Sequence, residues 1–224
     1  MELAIDSSSN SPGIALSHQE AILAQLSWQS SRNHTVELLP SIAYLLHHAS
    51  TQPSSLEAII VARGPGTFNG LRTGLSIAKG LAFSLNIPLL GIGTLEAEAY
   101  PFAYTGLAVR PIHKAGREEI ATALYQQVGD EWRRLEEEHL TTLGLLCSQT
   151  DEQMLVCCDT ASDIAMEIGQ NLGKRAIMPQ ISMCPRVISL AMLGWRRLKK
   201  GEADDVAAMQ PLYLRPPHIT KPKK

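Results

Sequence analysis

Two stretches of this sequence hold residues that could do chemistry. The first is G-P-G-T-F-N-G at 64–70, followed by Leu71 and Arg72. Its glycines permit backbone angles that other residues resist, and Pro65 fixes one dihedral of the turn. An apolar segment precedes it and a helical pattern follows. Gly64, Gly66, Thr67 and Gly70 would then set backbone N–H groups near a helix N-terminus, which is anion-binding or nucleotide-proximal chemistry. Arg72 could hold a carboxylate or a phosphate. The turn is not a P-loop, because no Lys-Ser or Lys-Thr follows Gly70, and it is not G-x-G-x-x-G. The competing reading is a structural turn with Arg72 in a surface ion pair. The second stretch is Leu3-Ala4-Ile5-Asp6, an apolar strand ending in a carboxylate. Such a position lies where open α/β sheets bind ligands. It equally suits a turn cap for the N–H groups of Ser8 or Ser9.

Other chemistries lack their residues. His34 and Glu37 share a helix face, His47 and His48 diverge, and His18, His113, His139 and His218 stand alone. No H-x-x-x-H or H-E-x-x-H occurs, so no metal site is assigned. No G-x-S-x-G occurs and no Cys has a nearby His, so no catalytic nucleophile is assigned either. The four cysteines, Cys147, Cys157, Cys158 and Cys184, form no C-x-x-C pair. Cys157 and Cys158 would point to opposite faces of a strand. Free buried thiols in a reducing cytosol are expected.

Composition sets the bounds. With 224 residues, 45% hydrophobic and 19% charged, the chain can bury a core as one large or two small domains. A net charge of −2 argues against a surface built to coat nucleic acid. The basic runs at Arg196–Lys200 and Lys221–Lys224 read as a helix end and a loose tail. No basic segment precedes an apolar one at the start, and no apolar run approaches membrane-spanning length, so a cytoplasmic protein is expected.

The elements that must position these residues fall into an order. Segments 3–6, 14–17 and 21–27 read as three short strands joined by tight turns. A helix follows, with Leu38, Ile42, Leu45 and Leu46 at helical spacing and Pro40 in its first turn or at a kink. A buried strand at 56–62, the glycine turn and its helix to Leu85, a strand at 88–92 and a helix at 95–100 complete one unit. The second half repeats the order. Strands are expected at 107–113, 120–128, 131–136 and 154–158, the last ending at Asp159, with 140–147 ambiguous. Helices are expected at 162–171 and 185–200, and 211–215 as a short strand or extended segment. Two β-β-β-α-β-α units predict a duplicated ribonuclease-H-like fold of the actin, heat-shock-chaperone and sugar-kinase type. The expected subdomains are 1–105 and 106–224, with the last segment free to pack back on the first. In that superfamily the cleft between the halves holds ATP, and the carboxylate ending the first strand serves the phosphates and metal.

Several segments together resemble the TsaB (YeaZ) family. They are G-P-G-T-F-N-G-L-R (64–72) with T-G-L-S-I-A-K-G-L-A (73–82), R-N-H-T-V-E-L-L-P (32–40), A-I-D-S-S (4–8), I-P-L-L-G-I-G-T-L-E-A (87–97) and P-L-Y-L-R (211–215). The similarity is continuous over about the first hundred residues and thin beyond them, apart from the end. The resemblance implies a non-catalytic paralogue of TsaD, acting with TsaD and the ATPase TsaE to place threonylcarbamoyl on adenosine beside the tRNA anticodon. ATP and metal are then expected on partner subunits and not on this chain. TsaD carries its metal through a histidine pair after its fifth strand, where this chain reads T-L-E-A-E-A-Y (94–100). Ser8 stands where the superfamily has a phosphate-loop glycine, and C-C-D-T-A around Asp159 again lacks one. The family's Asp-led turn in the second half is replaced by His113-Lys114-Ala115-Gly116-Arg117-Glu118-Glu119. Alternatives of other classes are an ATP-dependent phosphotransferase of the same fold and a metallopeptidase.

The resemblance also implies a four-helix interface between related subunits. The glycine-turn helix is rich in small residues, and Gly74 and Gly80 each cost about 1 kcal/mol against Ala. Expected interface residues are Leu38, Ile42, Leu45 and Leu46 on the first helix, and Leu71, Arg72, Gly74, Leu75, Ala78 and Ala82 on the second. A TsaD-like partner, or a second copy of this chain in its absence, would cover them. The competing reading seats the small residues on the chain's own sheet.

Overall fold

The computed structural model describes residues 1–30, 33–116, 118–158, 163–179 and 185–215. Expectations for Arg32, Arg117, Asp159, Ser162, Cys184, His218 and the basic tail lie outside them. Strands β1 (Glu2–Asp6), β2 (Gly13–His18) and β3 (Ala21–Ser27) form an antiparallel meander. β4 (Ala58–Gly64) and β5 (Leu89–Gly93) join in parallel, giving the order β3-β2-β1-β4-β5. β6 (Val109–Lys114), β7 (Glu119–Val128), β8 (Glu131–Thr142), β9 (Met154–Cys157) and β10 (Ala176–Ile177) make a second sheet. Read from its long edge, its order β8-β7-β6-β9-β10 repeats the first. The two sheets and their helices form the duplicated α/β fold that the order of elements predicts.

The helices divide into three layers. α1 (His34–His48) and α2 (Phe68–Leu85) cover the outer face of the first sheet. α3 (Thr94–Ala99) and α6 (Arg186–Lys199) lie on its inner face, and α3 also packs on the second sheet. α4 (Leu143–Gln149) and α5 (Asp163–Leu172) cover the far face of the second. β1 and β4 are sandwiched on both sides, which is why their sequences are apolar almost throughout. β3 is an edge strand and alternates half-buried with exposed residues. Cys157 and Cys158 enter the cores on opposite faces of their sheet.

Several boundaries differ from expectation for physical reasons. β8 runs to Thr142 because it pairs with β7 along its whole length, although its own sequence is mostly charged. The ambiguous 140–147 stretch divides into the end of β8 and the start of α4, whose Leu145 N–H donates to the Thr142 hydroxyl as a cap. α1 continues through Pro40, in its second turn. Val36 and Pro40 are both exposed, so water can replace the N–H that proline lacks. Residues 211–215 form no strand, but the Leu212 N–H donates to the Arg63 carbonyl at 2.8 Å. The largest correction concerns α6, counted above with the second half. Val187, Leu190, Ala191 and Leu193 bury against Ala4, Ala15, Ile60 and Leu90 of the first sheet. The chain then returns along that sheet's edge through the Asp204–Leu89 bridge.

The interface residues expected on α1 and α2 also need correction. Leu38, Ile42, Leu45, Leu46, Leu75, Ala78 and Ala82 fill the chain's own core with Leu3, Ile5, Ile59 and Val61. Leu71 and Gly74 are buried as well. Of that set only Arg72 is exposed. The small residues on this stripe let α2 lie close to the sheet. A Cβ added at Gly74 would lie 2.1 Å from Ser7 Oγ, whereas at Gly80 it would meet nothing within 4 Å. Gly74→Ala should therefore destabilise the protein by about 1–3 kcal/mol through overpacking. Gly80→Ala should stabilise it by about 1 kcal/mol through helix propensity. Urea midpoints of the two variants check this, and the opposite ranking would contradict the packing described.

Candidate functional site

The C-terminal ends of β1 and β6 open into a cleft of about 1050 Å³ between the halves. Asp6 sits at the end of β1, 3% exposed. The N–H and hydroxyl of Ser8 both donate to its Oδ1, at 2.9 and 2.6 Å. Arg186, the first residue of α6, donates from Nε to Oδ2 at 3.0 Å. Its Nη2 donates to Ser8 Oγ at 3.2 Å and to Ser9 Oγ at 2.9 Å. Its Nη1 stands 3.6 Å from Glu98 Oε2, and that carboxylate also contacts His113 Nε2. Four ionisable side chains from β1, α3, β6 and α6 thus form one cluster. Burial by itself would raise the Asp6 carboxyl, but the Arg186 guanidinium and the Ser8 donors outweigh it and hold it below the usual carboxylate range. Burial would lower Arg186, and Asp6 with Glu98 reverse that.

The glycine turn lies against the loop that leaves β1. Thr67 N–H donates to the Ser8 carbonyl at 2.7 Å, and Ser7 Oγ donates to the Gly70 carbonyl at 2.8 Å. A Cβ at Gly66 would lie 2.4 Å from Ser8 O, and one at Gly70 would lie 2.0 Å from Ser7 O. Gly64, at φ +122°, approaches the Leu212 carbonyl. Of the five anion-site candidates, Asp6, Gly66 and Thr67 line the cleft, while Gly64 and Gly70 pack behind it. Arg72 lies elsewhere. Its guanidinium sits 3.9 Å above the Phe68 ring, and its Nε donates to Tyr213 Oη at 3.1 Å.

The residues do not fit a metal-bound nucleotide. Both Asp6 oxygens are engaged, a guanidinium occupies the space a metal would need, and the Thr67 N–H at the start of α2 is spent on Ser8. Glu98, His113 and Arg186 were not found from the sequence. Arg186 is 180 residues from Asp6, and no local pattern joins them. His34 is buried with no partner for Nδ1, and it does not meet the cluster. Among the described residues, Glu2, His18 and Glu57 alone bring three metal-ligand atoms within 4.8 Å. They lie at the opposite end of β1. Glu57 there pairs with the terminal ammonium of Met1, and Glu2 accepts from Ser17 Oγ.

The profile of the family described as "TsaD: tRNA N6-adenosine threonylcarbamoyltransferase" matches residues 21–219. The TsaB protein of Bacillus subtilis, named for tRNA threonylcarbamoyladenosine biosynthesis, is 31% identical over 217 residues, 95% of this chain and 93% of that protein. The chain belongs to the TsaB (YeaZ) family. The solved structure of YeaZ from Pseudomonas aeruginosa superimposes with a TM-score of 0.78 at 24% identity, covering 95% of this chain and 99% of that one. A more distant neighbour in fold is the activator of 2-hydroxyisocaproyl-CoA dehydratase from Clostridium difficile, solved with ADPNP. Its TM-score is 0.52 at 11% identity, over 89% of this chain and 96% of that one. That likeness concerns fold alone.

A second carboxylate pair lies in the seam between α3 and the second sheet. Glu138 accepts from Tyr125 Oη at 3.1 Å and pairs with Arg134 at 2.7 Å. Burial, and then the nearby Glu138, push Glu96 up to about 7. Folded Glu96 therefore holds its proton more tightly than unfolded Glu96. Between about pH 4.5 and 7 stability should fall as pH rises, with the full penalty present above 7. Glu96→Gln should stabilise the protein at pH 8, by at most about 3 kcal/mol, and leave it unchanged near pH 4. Thermal melts at both pH values test this. An equal gain at each would mean that charge is not the cause.

Proposed function

We propose that this chain is a non-catalytic subunit in tRNA threonylcarbamoyladenosine biosynthesis, acting by pairing with a TsaD-like transferase. The observation that carries the reading is the outer face of α1 and α2. Val36, Leu39 and Tyr44 on α1 are 69%, 52% and 59% exposed, and Phe83 on α2 is 81% exposed. Ser76, Gly80 and Ser84 lie beside Phe83, exposed and small. An apolar face with small residues at its centre suits close packing of helices from a related subunit. Two helices from each side make a four-helix bundle. Without the transferase, the same face can pair with its own copy about a two-fold axis.

Catalysis, with its ATP and metal, belongs in this reading to the partner subunits. A TsaE-like ATPase is recruited by the pair, and tRNA is reached through the complex. The cleft supports this, since Asp6 and Glu98 in it are bound to Arg186 and His113. Among the described residues, no helix is long and apolar enough to cross a membrane. A cytoplasmic complex is in keeping with that.

Tyr44→Glu and Phe83→Glu should leave the circular dichroism spectrum and melting temperature nearly unchanged. Each should cut co-purification with the TsaD-like protein at least about tenfold, the loss expected for one core interface side chain. Ala78→Arg should instead unfold the chain, because Ala78 lies in its own core. Folded Glu variants that still associate fully would place the interface elsewhere. Threonylcarbamoyl transfer by the isolated chain would overturn the non-catalytic assignment.

A further inference from the structure

We propose that Arg186 is the resident cation of the cleft, occupying at Asp6 and Glu98 the position that a metal–nucleotide complex would need. The partner reading assigns nucleotide chemistry to other subunits. Arg186 supplies a specific physical cause within this chain, independent of any partner. A divalent cation such as Mg²⁺ requires carboxylate lone pairs at about 2.0–2.1 Å in near-octahedral order. Of the four lone-pair sites of Asp6, Oδ1 gives two to Ser8 and Oδ2 gives one to Nε of Arg186, which leaves a single site on the oxygen that the guanidinium already holds. A metal entering there would also meet the guanidinium charge at contact distance.

The guanidinium is not a waiting phosphate hook either. Its donors are directed at Asp6, Ser8 and Ser9, with Glu98 beside them. Swinging it aside would give up its bonds to Asp6, Ser8 and Ser9 together. The same loop takes up the first donor of α2, since the Thr67 N–H is bonded to the Ser8 carbonyl at 2.7 Å. Arg186 also balances charge. Without it, Asp6 and Glu98, 3% and 7% exposed, would lose the cation that both contact, leaving Asp6 its serine donors and Glu98 its contact with His113. A buried carboxylate that loses its counter-ion is left uncompensated and attracts another cation.

The proposal therefore predicts a gain of binding. Mn²⁺ and Mn²⁺·ADP are titrated into the full chain, followed by electron paramagnetic resonance and thermal shift. Wild type should show no Asp6-dependent binding. Arg186→Gln should bind Mn²⁺ at least about tenfold more tightly than wild type, and Asp6→Asn/Arg186→Gln should lose that gain. The double variant also separates this site from Glu2, His18 and Glu57. Wild-type binding of Mn²⁺·ADP that Asp6→Asn abolishes would overturn the proposal. So would a folded Arg186→Gln with no gain. Should Arg186→Gln fail to fold, Arg186→Met, of similar length and without charge, is titrated in its place, and a folded Arg186→Met with no Asp6-dependent gain would overturn the proposal equally. The chain is titrated alone, so neither outcome depends on the partner reading.

Discussion

The first half of the molecule depends on one close approach, between the start of α2 and the loop that leaves β1. Serine backbone and hydroxyl atoms occupy the space where three side chains would otherwise stand, at Gly66, Gly70 and Gly74. That contact sets the angle of α2 on the sheet and shapes the serine loop around Asp6. It also explains an expensive helix. Glycine lowers helix stability, but at Gly74 a Cβ would displace the Ser7 hydroxyl. The same turn anchors the returning chain, since Arg63 accepts from Leu212 and Arg72 holds Tyr213.

The ionic cluster joins what the glycine contact does not. Buried charges are costly unless their hydrogen bonds are complete. Here the charges are met by Asp6 from the first sheet, Arg186 and Glu98 from the middle layer and His113 from the second sheet. Each half supplies part of the neutralisation. The seating of the second sheet against α3 is thus tied to an electrostatic requirement.

Much of this was legible in the sequence and some was not. β1, β4 and β5 show as apolar runs, and β3 shows as alternation, because burial on two faces or one leaves those patterns. The two stripes of α2 are different. Gly74, Ala78 and Ala82 look much like Ser76, Gly80 and Ser84 in size, so spacing identifies both faces without saying which is inside. The core decided it, by bringing the first stripe onto Ile5 and Val61. β8 reads poorly because its charged side chains face solvent while β7 supplies its backbone partners. Arg186 was invisible for another reason. Its role is defined by Asp6, and only the folded chain brings them together.

The placement of α6 has a consequence for how the protein is made. The inner face of the first sheet, with Ala4, Ile60 and Leu90, is completed by residues near the end of the chain. A ribosome adds about 5–20 residues each second. For several seconds, then, the first five strands exist with α3 but without α6 on their inner face, and the part that α6 covers is open to water. The first half therefore cannot finish its core until residues that follow the second sheet have been made.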